Sequence, residues 1–331
     1  MRVIHFQRRP ADGQVSIERV FNQLRAAMPA GIHCSAHISP CFSRGILPRL
    51  ANILDARAHC AQLNHIVGDS HYLALALDPT RTILTVHDCA PLLRLRGPKR
   101  FLVRWFWFEL PLRRAAIVTA ISDATRRELA RLLPRIRRPV RVVHNCLPTH
   151  FRPEPKPFNQ HDPLLLQVGT APNKNLERLI LAMAGLPCRL RIIGKLGPQH
   201  LRLLRSHAIQ YDNLPRATEA ELIESYRQSD AVLFASTYEG FGLPILEANA
   251  IGRPVLTGNC LSMPEVAGPA ACLVDPYDAG SIRQGLVRII SDSQYRQRLV
   301  GAGFQNVKRF SPKSIAAQYA AIYRELQGNV A

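Results

Sequence analysis

Short apolar runs alternate with longer amphipathic stretches along this chain. In the first half, residues 2–6, 65–67, 82–87, 116–121 and 141–144 read as strands, several of them apolar enough to be buried on both faces. Residues 16–27, 71–77, 99–110 and 123–132 read as helices. In the second half, strands are predicted at 164–168, 189–193, 231–234, 254–257 and 272–274. Helices are predicted there at 176–183, 198–205, 219–228, 244–250, 279–290, 293–309 and 314–326. Strand–helix alternation of this kind predicts an α/β fold with mostly parallel sheets.

The segment 151–163, Phe-Arg-Pro-Glu-Pro-Lys-Pro-Phe-Asn-Gln-His-Asp-Pro, carries four prolines. Proline at that density interrupts helix and strand alike. It reads as a linker between a domain at 1–150 and a second at 164–310. A last helix within 311–331 is expected to pack back toward the first domain. Ligands of such a pair belong in the cleft where the carboxyl ends of the two sheets face each other.

The chain has 331 residues, 47% hydrophobic and 20% charged, which supports real cores and argues against disorder. Its first residues, Met-Arg-Val-Ile-His-Phe-Gln-Arg-Arg-Pro, place charge where a signal peptide needs an apolar stretch. No apolar run approaches the roughly 18–20 residues of a membrane span. A cytoplasmic protein is the expectation. The net charge is +19, and residues 1–160 hold 25 basic against 10 acidic residues. The density peaks from Arg94 to Arg141, with 14 basic and 3 acidic residues. Either a polyanionic partner or an arginine-rich composition on solvated faces accounts for that asymmetry.

None of the eight cysteines forms a C-x-x-C pair. His33, Cys34, His37 and Cys41 include a histidine pair at a spacing zinc sites use, without the paired cysteines a finger would need. Buried reduced thiols are the default reading.

Residues 231–247, Ala-Val-Leu-Phe-Ala-Ser-Thr-Tyr-Glu-Gly-Phe-Gly-Leu-Pro-Ile-Leu-Glu, carry the chemistry. A buried strand enters a loop with two glycines, and Pro244 suits the first turn of the helix that follows. The amides of Gly242 and Leu243 sit at the positive end of that helix, a ready phosphate site. Glu239 starts the loop and Glu247 lies about one turn into the helix, so one carboxylate can face a sugar and the other a ribose diol. On residues alone, a plain strand–loop–helix with a surface Glu and a Glu near a helix N-terminus stays open.

The block Ser-Thr-Tyr-Glu-Gly-Phe-Gly-Leu-Pro-Ile-Leu-Glu-Ala at 236–248 resembles the Glu-x7-Glu signature of family 4 of the retaining nucleotide-sugar glycosyltransferases. The likeness continues through Gly252-Arg253-Pro254-Val255, Met263-Pro264-Glu265-Val266-Ala267-Gly268 and Cys272-Leu273-Val274-Asp275-Pro276. Upstream it takes in Leu166-Gln167-Val168-Gly169-Thr170, Asn173-Lys174-Asn175-Leu176-Glu177-Arg178 and Arg191-Ile192-Ile193-Gly194-Lys195. It covers residues 164–310 continuously. The first half is similar at Ile66-Val67-Gly68-Asp69-Ser70-His71-Tyr72, Thr85-Val86-His87-Asp88 and Ala120-Ile121-Ser122-Asp123-Ala124-Thr125. The family's Gly-Gly pair before the first helix is replaced by a stretch with one glycine, Gly13.

The resemblance implies the GT-B fold, two Rossmann-like domains with parallel sheets facing across a cleft. It implies that Glu247 binds the nucleotide ribose, that Glu239 contacts the transferred sugar, and that Lys174 neutralises the donor diphosphate. Gly169, Phe241, Gly242 and Leu243 would line the donor. Thr170 stands where the family often has Arg, so Lys195 or an Arg of the other domain is the candidate second cation. His87 resembles the active-site histidine near the sugar, and Gly13 and Asp69 lie in acceptor-side loops. Asp69 and Ser122 also start helices and suit N-caps. No Asp-x-Asp stands where a metal would hold a diphosphate, so no metal and no other cofactor is expected.

Residues 98–114 hold both tryptophans. On a regular helix Phe101, Trp105 and Phe108 share one face and Arg100 and Arg104 another, and Pro111 ends or kinks it. Either a membrane-surface element or a core helix fits; Arg100, Arg104, Trp105 and Trp107 are the membrane candidates. The resemblance implies transfer of a sugar from a nucleotide donor to a saccharide hydroxyl, the acceptor lipid-linked, in lipopolysaccharide or exopolysaccharide synthesis. Peripheral contact with an anionic inner membrane face would follow. The alternatives are a synthase or phosphorylase of the same fold using a free sugar, and a non-catalytic nucleic-acid binder. Nucleic acid is not the expected partner, because the basic stretch holds no recognisable nucleic-acid module.

Overall fold

The computed structural model describes residues 1–10, 16–136 and 138–328. The chain divides into two α/β units, Met1–Pro148 with Phe310–Ala331, and Thr149–Arg309. In the first, strands β1 (Arg2–Gln7), β2 (His33–Ile38), β3 (Leu63–Ile66), β4 (Thr82–Val86), β5 (Ile117–Ala120) and β6 (Val140–Val142) form a parallel sheet ordered β2-β1-β3-β4-β5-β6. In the second, β7 (Leu164–Val168), β8 (Arg189–Ile193), β9 (Tyr211–Leu214), β10 (Ala231–Phe234), β11 (Val255–Gly258) and β12 (Cys272–Val274) form another, ordered β12-β11-β10-β7-β8-β9.

The central strands explain the parallel arrangement. Every residue of β3, β4, β5, β10 and β11 is buried, because helices cover both faces of each sheet. Starting from β7, the second sheet runs outward both ways, first through β8 and β9, then through β10, β11 and β12. That is the doubly wound order of dinucleotide-binding folds, with its switch point between β7 and β10. In the first sheet the switch lies between β1 and β3.

Four expectations change. The segment 151–163 has neither helix nor strand, yet it is no free linker. Phe151 packs edge-on against Tyr226, the Glu154 amide donates to the Ile251 carbonyl at 3.1 Å, and Lys156 pairs with Asp230 at 2.9 Å. The expected helix at 71–77 is a 3₁₀ helix, His71–Leu75. The strand expected at 141–144 is Val140–Val142.

The fourth concerns residues 97–114. An α-helical turn at Gly97–Val103 passes into a π-helical stretch, Arg104–Glu109, and back to α-helix at Leu110–Arg114. The wider turn absorbs Pro111, which neither ends the helix nor breaks it. It also shifts the register, so Phe101 is exposed while Phe108 is buried, and they do not share a face.

The helix Pro312–Gly328 completes the first unit. The Tyr323 hydroxyl bridges His5 Nε2 at 2.9 Å and His65 Nδ1 at 2.7 Å, and His65 Nε2 meets Thr85 Oγ1 at 2.7 Å. All are fully buried, and burial drives the His5 pKa down to about 3 and His65 well below its ordinary value. Among the described residues no helix is long and apolar enough to cross a membrane.

Candidate functional site

The loops that follow β7 and β10 meet at the switch point of the second sheet, where open α/β sheets place their ligands. After β7 the chain turns at Gly169, whose φ of +91° favours glycine and where a Cβ would come within about 3.1 Å of the Lys174 stem. A short turn at Pro172–Lys174 follows, and Asn175, at φ 61°, enters the helix Leu176–Met183. Asparagine is among the few non-glycine residues that tolerate that left-handed geometry. Its side-chain amide donates to the carbonyls of Ala235 at 2.9 Å and Pro276 at 2.6 Å, tying the two loops together.

Lys174 and Glu239 are brought into contact. Lys174 Nζ donates to Glu239 Oε1 at 2.7 Å and lies 4.7 Å from the Phe234 ring centroid. Asn173 Nδ2 donates to the Tyr238 carbonyl at 3.0 Å. Two residues that sequence reasoning missed fix these groups. The buried Gln167 amide donates to the carbonyls of Gly169 at 3.1 Å and Lys174 at 3.2 Å. The buried Ser262 hydroxyl lies 2.9 Å from the Glu239 carbonyl and 2.7 Å from that of Phe241. Gln167 stood inside a quoted motif, but a strand residue gives no sign that its amide faces its own loop.

Gly242, at φ 119°, turns the loop into the helix Leu243–Ile251, with Pro244 in its first turn. Phe241 and Gly242 are buried and Leu243 is half-buried. Glu247 is buried, and its Oε2 accepts a hydrogen bond from the Tyr226 hydroxyl at 2.6 Å. Burial, then the Glu247 charge, raises the Tyr226 pKa well above its ordinary value, so the phenol keeps its proton and donates. Tyr226 was not legible as a site residue, since its helix, Glu219–Gln228, is an ordinary amphipathic one.

Lys195 is exposed and is not drawn to the Lys174–Glu239 pair. Its carbonyl, not its ammonium, accepts a hydrogen bond from Thr170 Oγ1 at 2.8 Å.

In the first unit His87 follows β4 and is buried, which lowers its pKa and keeps the ring neutral. Its Nε2–H donates to the Val67 carbonyl at 2.8 Å, so the lone pair is on Nδ1. Ser122 does cap its helix, accepting from the Thr125 amide at 3.0 Å. Asp69 does not; it accepts from the Trp107 indole at 2.8 Å. Gly13 lies outside the described residues.

The four membrane candidates divide. Arg100 is exposed. Arg104 is tied to the buried Glu109 at 2.8 Å, Trp105 lies half-buried beside Arg113, and Trp107 is held by Asp69 and lies 5.0 Å from the Arg49 guanidinium. The large apolar side chains this helix presents to solvent are instead Phe101, Leu102 and Phe106. His71 Nδ1–H donates to the Trp107 carbonyl at 3.0 Å; Pro111, four residues on, has no N–H to offer it.

Two family models match the chain, Glycosyltransferase Family 4 over residues 15–151 and Glycosyl transferases group 1 over residues 150–306. The O-antigen chain mannosyltransferase B of Escherichia coli is 28% identical over 287 residues, 78% of this chain and 74% of that protein. The serotype-specific mannosyltransferase WbdA of Escherichia coli is 26% identical over 275 residues, 74% of this chain and 34% of that protein. The chain thus spans about a third of the length of the WbdA proteins it matches. The solved sucrose-phosphate synthase from Thermosynechococcus elongatus superposes with a TM-score of 0.78 at 18% identity, over 99% of this chain and 100% of that one. Its likeness, with the two six-stranded parallel sheets, makes this the GT-B fold. The two family models together run from residue 15 to residue 306, and the chain belongs to the group 1 glycosyltransferases of family 4.

Proposed function

We propose that this chain is a retaining glycosyltransferase that moves a sugar from a nucleoside diphosphate donor to a hydroxyl of a lipid-linked saccharide, in lipopolysaccharide or exopolysaccharide assembly. The curated relatives are named mannosyltransferases, one of them for the O-antigen chain, so mannose is the sugar in this reading. The observation that carries it is the Lys174–Glu239 contact at the β7/β10 switch point.

The second unit holds the donor. Lys174 and the amides of Gly242 and Leu243 take the diphosphate, offsetting the charge that develops as the nucleoside diphosphate leaves. Glu247, oriented by Tyr226, takes the ribose hydroxyls, and Glu239 takes a hydroxyl of the sugar. Gly169 and Thr170 shape the loop, and Lys195 remains an exposed cation at its edge. With the charge handled by a lysine and a helix N-terminus, transfer needs no metal.

The first unit holds the acceptor. Neutral His87 offers its Nδ1 lone pair to a sugar hydroxyl. The same unit rests on the anionic inner face of the membrane. Supporting this are Phe101, Leu102 and Phe106, exposed beside Lys99 and Arg100, and the helix Ile46–Ala58, which turns Ile46, Leu47, Leu50 and Leu54 to solvent beside Arg44 and Arg57.

A thermal-shift screen against UDP, GDP, ADP, CMP and their sugar conjugates tests the donor assignment. A ligand at 100 times its Kd should add about 2.7 kcal/mol. A clear rise with one base supports the reading and names the nucleotide. No rise with any, repeated with a glycolipid acceptor present, overturns it.

A further inference from the structure

We propose a zinc-type metal site on the first unit, formed by His37, Asp55 and His59, separate from the donor loops of the second unit. Asp55 lies in the last turn of the helix Ile46–Ala58, and His59 follows four residues later, so the two side chains stand one above the other. His37 comes from β2, the edge strand of the first sheet.

The three converge on the Asp55 carboxylate. His37 Nε2 lies 2.5 Å from Oδ2, and His59 Nδ1 lies 3.3 Å from Oδ1. The ligand atoms of all three lie within 4.8 Å of one another, and this is the one such group among the described residues. The two imidazole rings stack with centroids 4.4 Å apart and planes 24° apart. Phe6 meets the His37 ring edge-on at 5.5 Å and limits its rotation.

Two imidazoles and a carboxylate are a donor set that zinc takes, at about 2.0–2.2 Å per ligand. Tetrahedral geometry at those lengths puts ligand atoms roughly 3.3–3.5 Å apart. The His59–Asp55 separation already fits, and the His37–Asp55 contact needs to open by about 1 Å. His59 would exchange its 2.8 Å contact with the Asp55 carbonyl for the metal. Three protein ligands leave a fourth position for water, and the exposed His59 gives the ion a way in. His33, Cys34 and Cys41, the neighbours that sequence spacing joined to His37, are not in the group.

A bound ion would clip the helix Ile46–Ala58 to the edge strand. That helix carries the exposed Ile46, Leu47, Leu50 and Leu54 and is anchored by Ala56 and Ile53, so the ion would add a second fastening at its C-terminal end.

The test is titration of chelator-treated full-length protein with ZnCl2 by calorimetry, with Co2+ absorption as an independent readout. One equivalent of Zn2+ is expected, with the intense visible bands of tetrahedral Co2+. Loss of an outer-shell partner alone costs about 10–100-fold in metal affinity. His37→Ala, Asp55→Asn and the exposed His59→Ala should therefore each weaken binding at least about tenfold. Unchanged melting of metal-free His59→Ala keeps that result separate from misfolding. No saturable heat, or binding that survives both His37→Ala and His59→Ala, overturns the site. None of these readouts depends on transferase activity.

Discussion

Lys174 Nζ lies 2.7 Å from Glu239 Oε1, and the contact joins two loops 65 residues apart at the point where the second sheet reverses its strand order. The pair is largely screened from water, its side chains 21% and 15% exposed, so breaking it costs the fold about 1–3 kcal/mol. In the proposed function its value lies in catalysis. A fixed donor aimed at developing negative charge contributes about 10²–10³-fold in kcat. Lys174→Ala is expected to lower kcat by that order while the protein stays folded, with a stability loss of no more than about 3 kcal/mol. Near-normal turnover would remove Lys174 from the site.

Tyr226 and Glu247 form the second pair. Removing the phenolic hydroxyl leaves a buried carboxylate short of a donor, and hydrogen bonds to charged groups are worth about 1.5–3 kcal/mol. Tyr226→Phe should therefore destabilise the protein by about that amount. If Glu247 holds the ribose as proposed, the variant should also raise the donor KM more than it lowers kcat, because Glu247 loses the hydroxyl that helps to orient it. Steady-state kinetics beside thermal melts separate these effects. A drop in melting alone would leave Tyr226 a purely structural residue.

Acid sensitivity follows from the buried histidines. His5, His65, His71 and His87 all have folded pKa values below the ordinary 6.5, chiefly through burial, with His5 at about 3. The unfolded chain then binds more protons below pH 6.5 than the folded one, so stability is greatest above that pH and falls on acidification. Each histidine contributes a slope of up to about 1.4 kcal/mol per pH unit. Urea midpoints measured from pH 7.5 to 5 should fall, and a flat profile would contradict the neutral, buried state of these rings.

Membrane contact predicts a lipid-dependent phenotype without a folding defect. Leu47→Ser with Phe101→Ser should abolish co-flotation with vesicles rich in phosphatidylglycerol and leave melting unchanged, since both side chains are more than half exposed. High salt should weaken the wild-type interaction, at roughly 1 kcal/mol per basic residue near the surface. Binding that ignores both lipid charge and these substitutions would rule out this face.

The C-terminal helix is expected to be indispensable to the first unit. It buries Ile315, Tyr319 and Tyr323, and Tyr323 bonds both His5 and His65. Replacing Tyr323 with Ala would leave a cavity and two buried imidazoles each short of one partner, a loss of about 3–5 kcal/mol from the removed aromatic side chain alone. Chemical denaturation of that variant measures it directly.

The sequence by itself determined the buried strands and the glycine–proline turn after β10. Runs such as 164–168 and 231–234 are apolar at nearly every position and too short for a buried helix, which leaves a strand covered on both faces. The Gly-Phe-Gly-Leu-Pro transition names its own turn because glycine and proline restrict the backbone locally. Local chemistry could not reveal β2, an edge strand with mostly exposed, polar residues, or the helix Ile46–Ala58. That helix buries Asn52 and Ala56 while its large aliphatic side chains face outward, the reverse of the usual pattern. Nor could spacing show that the π-helical turn at Arg104–Glu109 would separate Phe101 from Phe108, or that the segment 151–163 would be packed as part of the second unit. Lys174 meeting Glu239, Tyr226 meeting Glu247, and His37 meeting Asp55 and His59 were decided by strand order and helix placement. Those contacts join residues far apart in the chain, and only long-range packing brings them within reach of one another.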